Sequence, residues 1–192
     1  MIVPAEGDEG VVFCMRGKAW REVEVARAGC LTVGSGVRLK EICLFAASQG
    51  LVGFEFLEGI PGSLGGALRM NAGAMGGTIF DLVESVTVMT TQGERRDMLR
   101  NEFDARYREC PELKEAFVLN ATLRSCSNAT KDQILDRLRS FSKMRKESQP
   151  REASAGCIFR NPCGQSAGRL IDEEGLKGFR VGAAEVSRKH GN

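Results

Sequence analysis

The chain has 192 residues, 42% hydrophobic and 27% charged, with a formal net charge of +2. That length and balance suit a soluble globular protein of one or two domains with a sizeable core. A near-neutral charge gives no support for a nucleic-acid or membrane partner, which calls for a basic face, and no apolar run approaches the roughly 20 residues that span a bilayer.

The opening residues, MIVPAEGDEG, carry neither a basic n-region nor an apolar h-region, so no signal peptide is expected. The seven cysteines (Cys14, Cys30, Cys43, Cys110, Cys126, Cys157 and Cys163) are odd in number and irregularly spaced, with no C-x-x-C pair. This argues against a disulfide framework or a metal site and for a reducing, cytoplasmic compartment. Most of these cysteines are expected to be small buried apolar residues.

In chain order, VVFCM (Val11 to Met15) reads as a strand. REVEVAR and CLTVGSG flank Ala28-Gly29, a hairpin turn. RLKEICLFAASQG places Leu39, Ile42, Cys43, Ala46 and Ala47 on one helical face, with Gly50 at the C′ position. After a glycine-rich stretch, LVESVTVMT reads as a strand, Gln92-Gly93 as a turn and FVLNATLRS as another strand. Thr130-Lys-Asp-Gln133 is a capping box opening a helix with Ile134, Leu135, Leu138, Phe141 and Met144 on one face. The helix should end before Pro150. A second loop-rich block, ASAGCIFRNPCG, a short helix AGRLIDEE closed by Gly175, and a strand-like FRVGAAEV complete the chain. The class is mixed α+β. Strand patterning gives way to a long helix near Cys126 to Thr130, which places a domain boundary there.

Seven glycines fall between Gly59 and Gly77, in GIPGSLGGALRMNAGAMGG. No lysine follows them as a Walker A loop requires, and GSGVRL at Gly34 lacks the third glycine of a dinucleotide fingerprint. Two readings stay open on the residues alone. Backbone N–H groups freed of Cβ atoms could meet an anion or a flat ring, or the glycines could serve a tight crossover between packed elements.

EFLEGIPGSLGGALRMNAGAMGG closely resembles the flavin-binding segment of the UDP-N-acetylenolpyruvoylglucosamine reductases. Four further blocks resemble that family in the same order: ARYREC (Ala105 to Cys110), MRKESQP (Met144 to Pro150), SAGCIFRNP (Ser154 to Pro162) and AGRLIDEEGLKGFRVGAAEVSRKHGN. The short run from Arg145 to Ala155 looks like the type II branch. The resemblance implies the second half of a two-subdomain, PCMH-type FAD-binding domain over residues 1–127. A substrate-binding domain of the reductases' C-terminal type would follow over 128–192, both being partial.

It also implies a reaction. NADPH reduces FAD, the flavin passes hydride to the enolpyruvyl double bond of a UDP-sugar, and UDP-N-acetylmuramate results for peptidoglycan synthesis. The partner implied is thus a small-molecule UDP-sugar enolpyruvyl ether, and a monomer is expected. Cofactor contacts fall to Gly59, Ile60, Pro61, Gly62, Ser63, Gly65, Gly66, Asn71, Gly73, Ala74 and Gly76. Arg108 matches the family's catalytic arginine, suited to bind the carboxylate where negative charge develops. Cys157 replaces the serine that protonates the substrate carbon. An ordinary thiol, with a pKa of about 8.5, can donate that proton. Arg145, Gln149, Asn161 and Lys177 match substrate positions, while His190 is given no chemistry.

The family's N-terminal flavin-gripping lobe and its C-terminal glutamate have no counterpart in the residues given. Weak flavin retention and no useful turnover are therefore expected of this stretch alone, with an active longer parent. Two alternatives are a UDP-sugar-binding remnant without catalysis and another FAD oxidoreductase of the same flavin fold.

Overall fold

The computed structural model describes Gly7, Glu9 and residues 13–127, 129–150 and 156–192. Two compact units divide the chain, one spanning Phe13–Ser142 and the other holding Lys143–Asn192. Val11 and Val12 of the expected first strand, and Ser154 and Ala155 of the second loop block, lie outside the described residues.

The larger unit is built on a five-stranded antiparallel sheet. Its strands are β1 (Val23–Arg27), β2 (Cys30–Gly34), β5 (Val83–Thr90), β6 (Arg95–Leu99) and β7 (Ala116–Arg124), in the order β1-β2-β7-β5-β6. The β1–β2 hairpin turns at Ala28-Gly29 as its sequence predicts, with Gly29 at φ 77°. β2 is buried on both faces, while the edge strands β1 and β6 carry Glu24, Arg27, Arg95, Arg96 and Asp97 and are largely exposed. Charged edges discourage pairing with a second chain. Arg27, from β1, and Arg124, from β7, both hydrogen-bond Glu84 of β5 at 2.7 Å. The Arg27 hydrogen bond, reinforced by Arg124, holds the Glu84 carboxyl below the usual carboxylate range.

Helix α1 (Leu39–Ser48) buries the five predicted residues and is stopped by Gly50 at φ 69°. Burial pushes the Cys43 thiol of α1 up to about 12. The core around α1 also contains Phe54 and Phe80, each worth roughly 1.5–3 kcal/mol in burial. Helix α3 (Lys131–Ser148) opens with the predicted capping box: Gln133 N donates to Thr130 Oγ1 at 3.4 Å, and Thr130 N to Gln133 Oε1 at 3.1 Å. Ile134 and Leu138 are buried in the same core, and Leu135 and Phe141 pack against it.

Several expectations are corrected. Phe13–Met15 form no strand, and Phe13 is 68% exposed, stacked edge-on against Phe117. Met144 does not continue the buried face of α3, because that face ends at Phe141 and charged residues follow. The two compact units meet in sequence at Ser142/Lys143, inside α3. The terminal FRVGAAEV is a small hairpin, β8 (Arg180–Val181) with β9 (Ala184–Glu185), because Gly182 at φ 59° turns the chain back. Only Cys30, Cys43 and Cys110 are buried, whereas Cys14, Cys126, Cys157 and Cys163 are exposed loop thiols. No helix among the described residues is long and apolar enough to cross a membrane.

Candidate functional site

The glycine-rich segment leaves the core at Gly59 (φ 93°) and Gly62 (φ 123°), conformations that L side chains resist. It then runs beside the loop that follows β2. Leu64 N donates to Val37 O at 2.9 Å, Gly65 N to Ser35 O at 2.9 Å, and Leu39 N to Gly62 O at 3.2 Å. Ser63 bridges Arg38 through the backbone and starts the short helix α2 (Leu64–Arg69), with no side-chain cap bond. Ile60 packs on the core while Pro61 is exposed. The segment ends in a two-strand ribbon, β3 (Gly73–Ala74) with β4 (Gly77–Thr78), turned by Met75 and Gly76 at φ 53° and 83°.

The glycines sort into two kinds. A Cβ on Gly73 would sit 2.6 Å from Gly77 O, and one on Gly77 3.0 Å from the Phe56 ring. Those two serve internal packing. So do Gly34 and Gly36, where a Cβ would meet Trp20 O at 2.5 Å and Met15 O at 2.1 Å. Gly66 is different. It is helical and exposed, and a Cβ there meets nothing within 4 Å. Neither backbone conformation nor packing among the described residues requires glycine at that position.

Asn71 joins this segment to a second one. Its Nδ2 donates to Arg106 O at 3.2 Å. Arg106 and Glu109 pair across a tight turn, Arg106 N to Glu109 O at 2.9 Å, with Tyr107 and Arg108 at the tip. Arg108 is exposed, adopts φ 59° and lies 5.9 Å from the Tyr107 ring. Among the described residues the positive-φ non-glycines are Asn71, Met75 and Arg108, all in these two segments. Left-handed backbone at such residues costs about 1–3 kcal/mol and tends to gather at functional sites. The stem of the turn is anchored by the Arg106–Asp104 ion pair; that hydrogen bond holds the Asp104 carboxyl below its usual range. Cys110, at the foot, is buried beside Glu112, and burial pushes its thiol up to about 12.

The other unit carries the remaining candidates. Cys157 is exposed and lies next to Gly156, at φ 74°. Asn161 Oδ1 accepts from Ala167 N at 3.0 Å and so fixes the start of α4 (Ala167–Glu173). Lys177 pairs with Asp172 at 2.6 Å. Arg145 O accepts from Gln149 N at 2.8 Å at the end of α3. Asn192 escaped the sequence reading. Its Oδ1 accepts from Ile158 N at 3.0 Å and Phe159 N at 2.9 Å, and its Nδ2 donates to Phe159 O at 2.9 Å. One side chain thus clamps the backbone beside Cys157.

The residues present fit a flavin cofactor of the kind the resemblance implies. Gly62, Gly66 and Gly76 offer backbone with open space where a Cβ would stand. Two buried polar atoms beside that backbone, Ser35 Oγ and Asn71 Oδ1, have no hydrogen-bond partner among the described residues, a condition that buried polar groups seldom tolerate. Ser35 was also missed. Its only signal was the pair of flanking glycines, which named no motif. No cluster of metal-ligating side chains occurs among the described residues.

Two family models match the chain: an FAD binding domain over residues 2–98, and the C-terminal domain of UDP-N-acetylenolpyruvoylglucosamine reductase over residues 149–192. The UDP-N-acetylenolpyruvoylglucosamine reductase of Syntrophomonas wolfei is 45% identical over 157 residues, covering 81% of this chain and 52% of the relative. That of Agathobacter rectalis is 41% identical over 202 residues, covering 99% of this chain and 64% of the relative. The crystal structure of the Thermus caldophilus reductase superposes with a TM-score of 0.76 at 43% identity, covering 84% of this chain and 59% of that one. The chain therefore spans about half to somewhat under two thirds of the length of these relatives.

Proposed function

The chain belongs to the UDP-N-acetylenolpyruvoylglucosamine reductase family, and we propose that it carries the flavin cradle and substrate residues of an FAD-dependent, NADPH-driven reductase of UDP-N-acetylglucosamine enolpyruvate. The observation that carries this reading is the pairing, in one chain and in order, of a flavin-binding family match with one specific to these reductases. Domains of residues 1–127 and 128–192 belong to the same proposal.

In this reading Gly59, Ile60, Pro61, Gly62, Ser63, Gly65, Gly66, Asn71, Gly73, Ala74 and Gly76 form the wall against which FAD lies. Gly62 and Gly66 admit its closest approach. When bound, the flavin supplies hydride to the carbon–carbon double bond of the substrate. Arg108 binds the adjacent carboxylate with two parallel hydrogen bonds and stabilises the negative charge that grows there. Cys157 holds a proton on Sγ for the neighbouring carbon. Arg145, Gln149, Asn161 and Lys177 hold the UDP-sugar. The Asp172 partner of Lys177 and the Ala167 partner of Asn161 keep both side chains in one rotamer, which lowers the entropy cost of binding.

The assay pairs the chain with a chimera that supplies the rest of the Syntrophomonas wolfei relative's length. FAD is titrated by fluorescence, and NADPH oxidation is followed with and without the enolpyruvyl sugar. The expected result is saturable flavin binding, weaker in the chain than in the chimera, and oxidation by the chimera that accelerates when the sugar is added. Loss of that acceleration in Arg108→Ala supports the roles given. A flavin-loaded chimera whose oxidation ignores the enolpyruvyl sugar overturns the substrate assignment.

A further inference from the structure

We infer that Asn71 is a positioning residue, tying the glycine-rich segment to the Tyr107–Arg108 turn and fixing where Arg108 presents its guanidinium. The need for asparagine at this position is the starting point. Asn71 stands just past the end of α2, with Asn71 N donating to Leu68 O at 3.1 Å and Ala72 N to Ala67 O at 2.8 Å. This is the C′ position of a helix, and at φ 38° glycine is the favoured occupant. Asparagine tolerates such backbone but gains nothing from it. Its side chain supplies the missing reason. Nδ2 reaches Arg106 O, 35 residues away in sequence.

The acceptor is well chosen. Arg106 O is the carbonyl that closes the turn, since Glu109 N donates to it at 3.3 Å. A carbonyl oxygen has two lone pairs and can serve both donors. Tyr107 is not among the positive-φ residues while Arg108 is, the pattern of a type II turn, whose third residue also prefers glycine. The turn thus holds Arg108 in a conformation it disfavours and needs support from outside. Asp104 steadies the Arg106 side chain, and Asn71 steadies its carbonyl. Arg108 is thereby coupled to the same backbone that the cofactor contacts. That consequence rests on the proposed role of Arg108, whereas the tether itself rests on the hydrogen bonds alone.

Asn71→Gly separates the two roles of the residue, because it keeps the left-handed backbone and deletes the amide. Amide hydrogen exchange over residues 106–109, and trypsin cleavage after Arg106 and Arg108, are measured on the folded full chain. The expected result is a melting temperature no lower than that of the parent, with local exchange and cleavage faster by about two- to tenfold, the factor for one lost hydrogen bond. Unchanged exchange at 106–109, or a rise shared by the whole chain, overturns the tether. A second readout compares binding of UDP-N-acetylglucosamine enolpyruvate with UDP-N-acetylglucosamine, which lacks the carboxylate. Asn71→Gly should weaken the preference for the carboxylate-bearing sugar, as should Arg108→Ala. If the turn loosens but Arg108→Ala leaves the preference intact, the functional consequence is overturned along with the role of Arg108.

Discussion

Replacing Gly66 with alanine should make the protein more stable and its flavin site worse. Gly66 lies inside α2, with its Cβ direction open for at least 4 Å. Alanine in an exposed helical position is better than glycine by about 0.8–1 kcal/mol, because the unfolded chain loses freedom and the helix gains nothing it must repack. For a chain of this size that raises the melting temperature by about 2–4 °C. The same methyl fills the space into which the cradle reading puts the cofactor. Flavin affinity should then fall tenfold or more, equivalent to about 1.4 kcal/mol. Gly73→Ala is the control. Its Cβ would stand 2.6 Å from the Gly77 carbonyl, so it should destabilise by about 1–3 kcal/mol. Differential scanning fluorimetry without ligand, and flavin fluorescence quenching with it, read the two effects. A Gly66→Ala chain that melts higher yet binds flavin as the parent does refutes the cradle. One that melts lower refutes the account of the helix.

The thiols and one carboxylate give two further tests. Cys43 and Cys110, pushed up to about 12 by burial, should resist iodoacetamide at pH 8 in the native chain, while exposed Cys14, Cys126, Cys157 and Cys163 are alkylated; peptide mass spectrometry reads the sites, and rapid native labelling of Cys110 counts against the packing described. Glu84 titrates below its usual range when folded, so its contribution to stability is present above the ordinary glutamate pKa of about 4.3 and is lost as pH falls through the folded value. Glu84→Gln should therefore lower the melting temperature at pH 7 and flatten its decline between neutral and acid pH, and an unchanged slope sinks the Arg27–Glu84–Arg124 argument.

The sequence alone determined the elements whose signals are local. The Ala28-Gly29 hairpin, α1 with its Gly50 stop and the Thr130–Gln133 capping box are written in neighbours a few residues apart, where turn chemistry and helical spacing decide the outcome. The resemblance likewise followed from ordered short blocks. The tertiary structure decided what joins distant residues. Nothing near Gly77 in sequence shows that the Phe56 ring crowds it, and no local signal ties Asn71 to Arg106 or Asn192 to Phe159. It also decided which glycines serve packing and which face open space, and it ended the buried face of α3 at Phe141. Such contacts depend on where the folded backbone brings two segments together, and a sequence pattern records only the residues that flank each one.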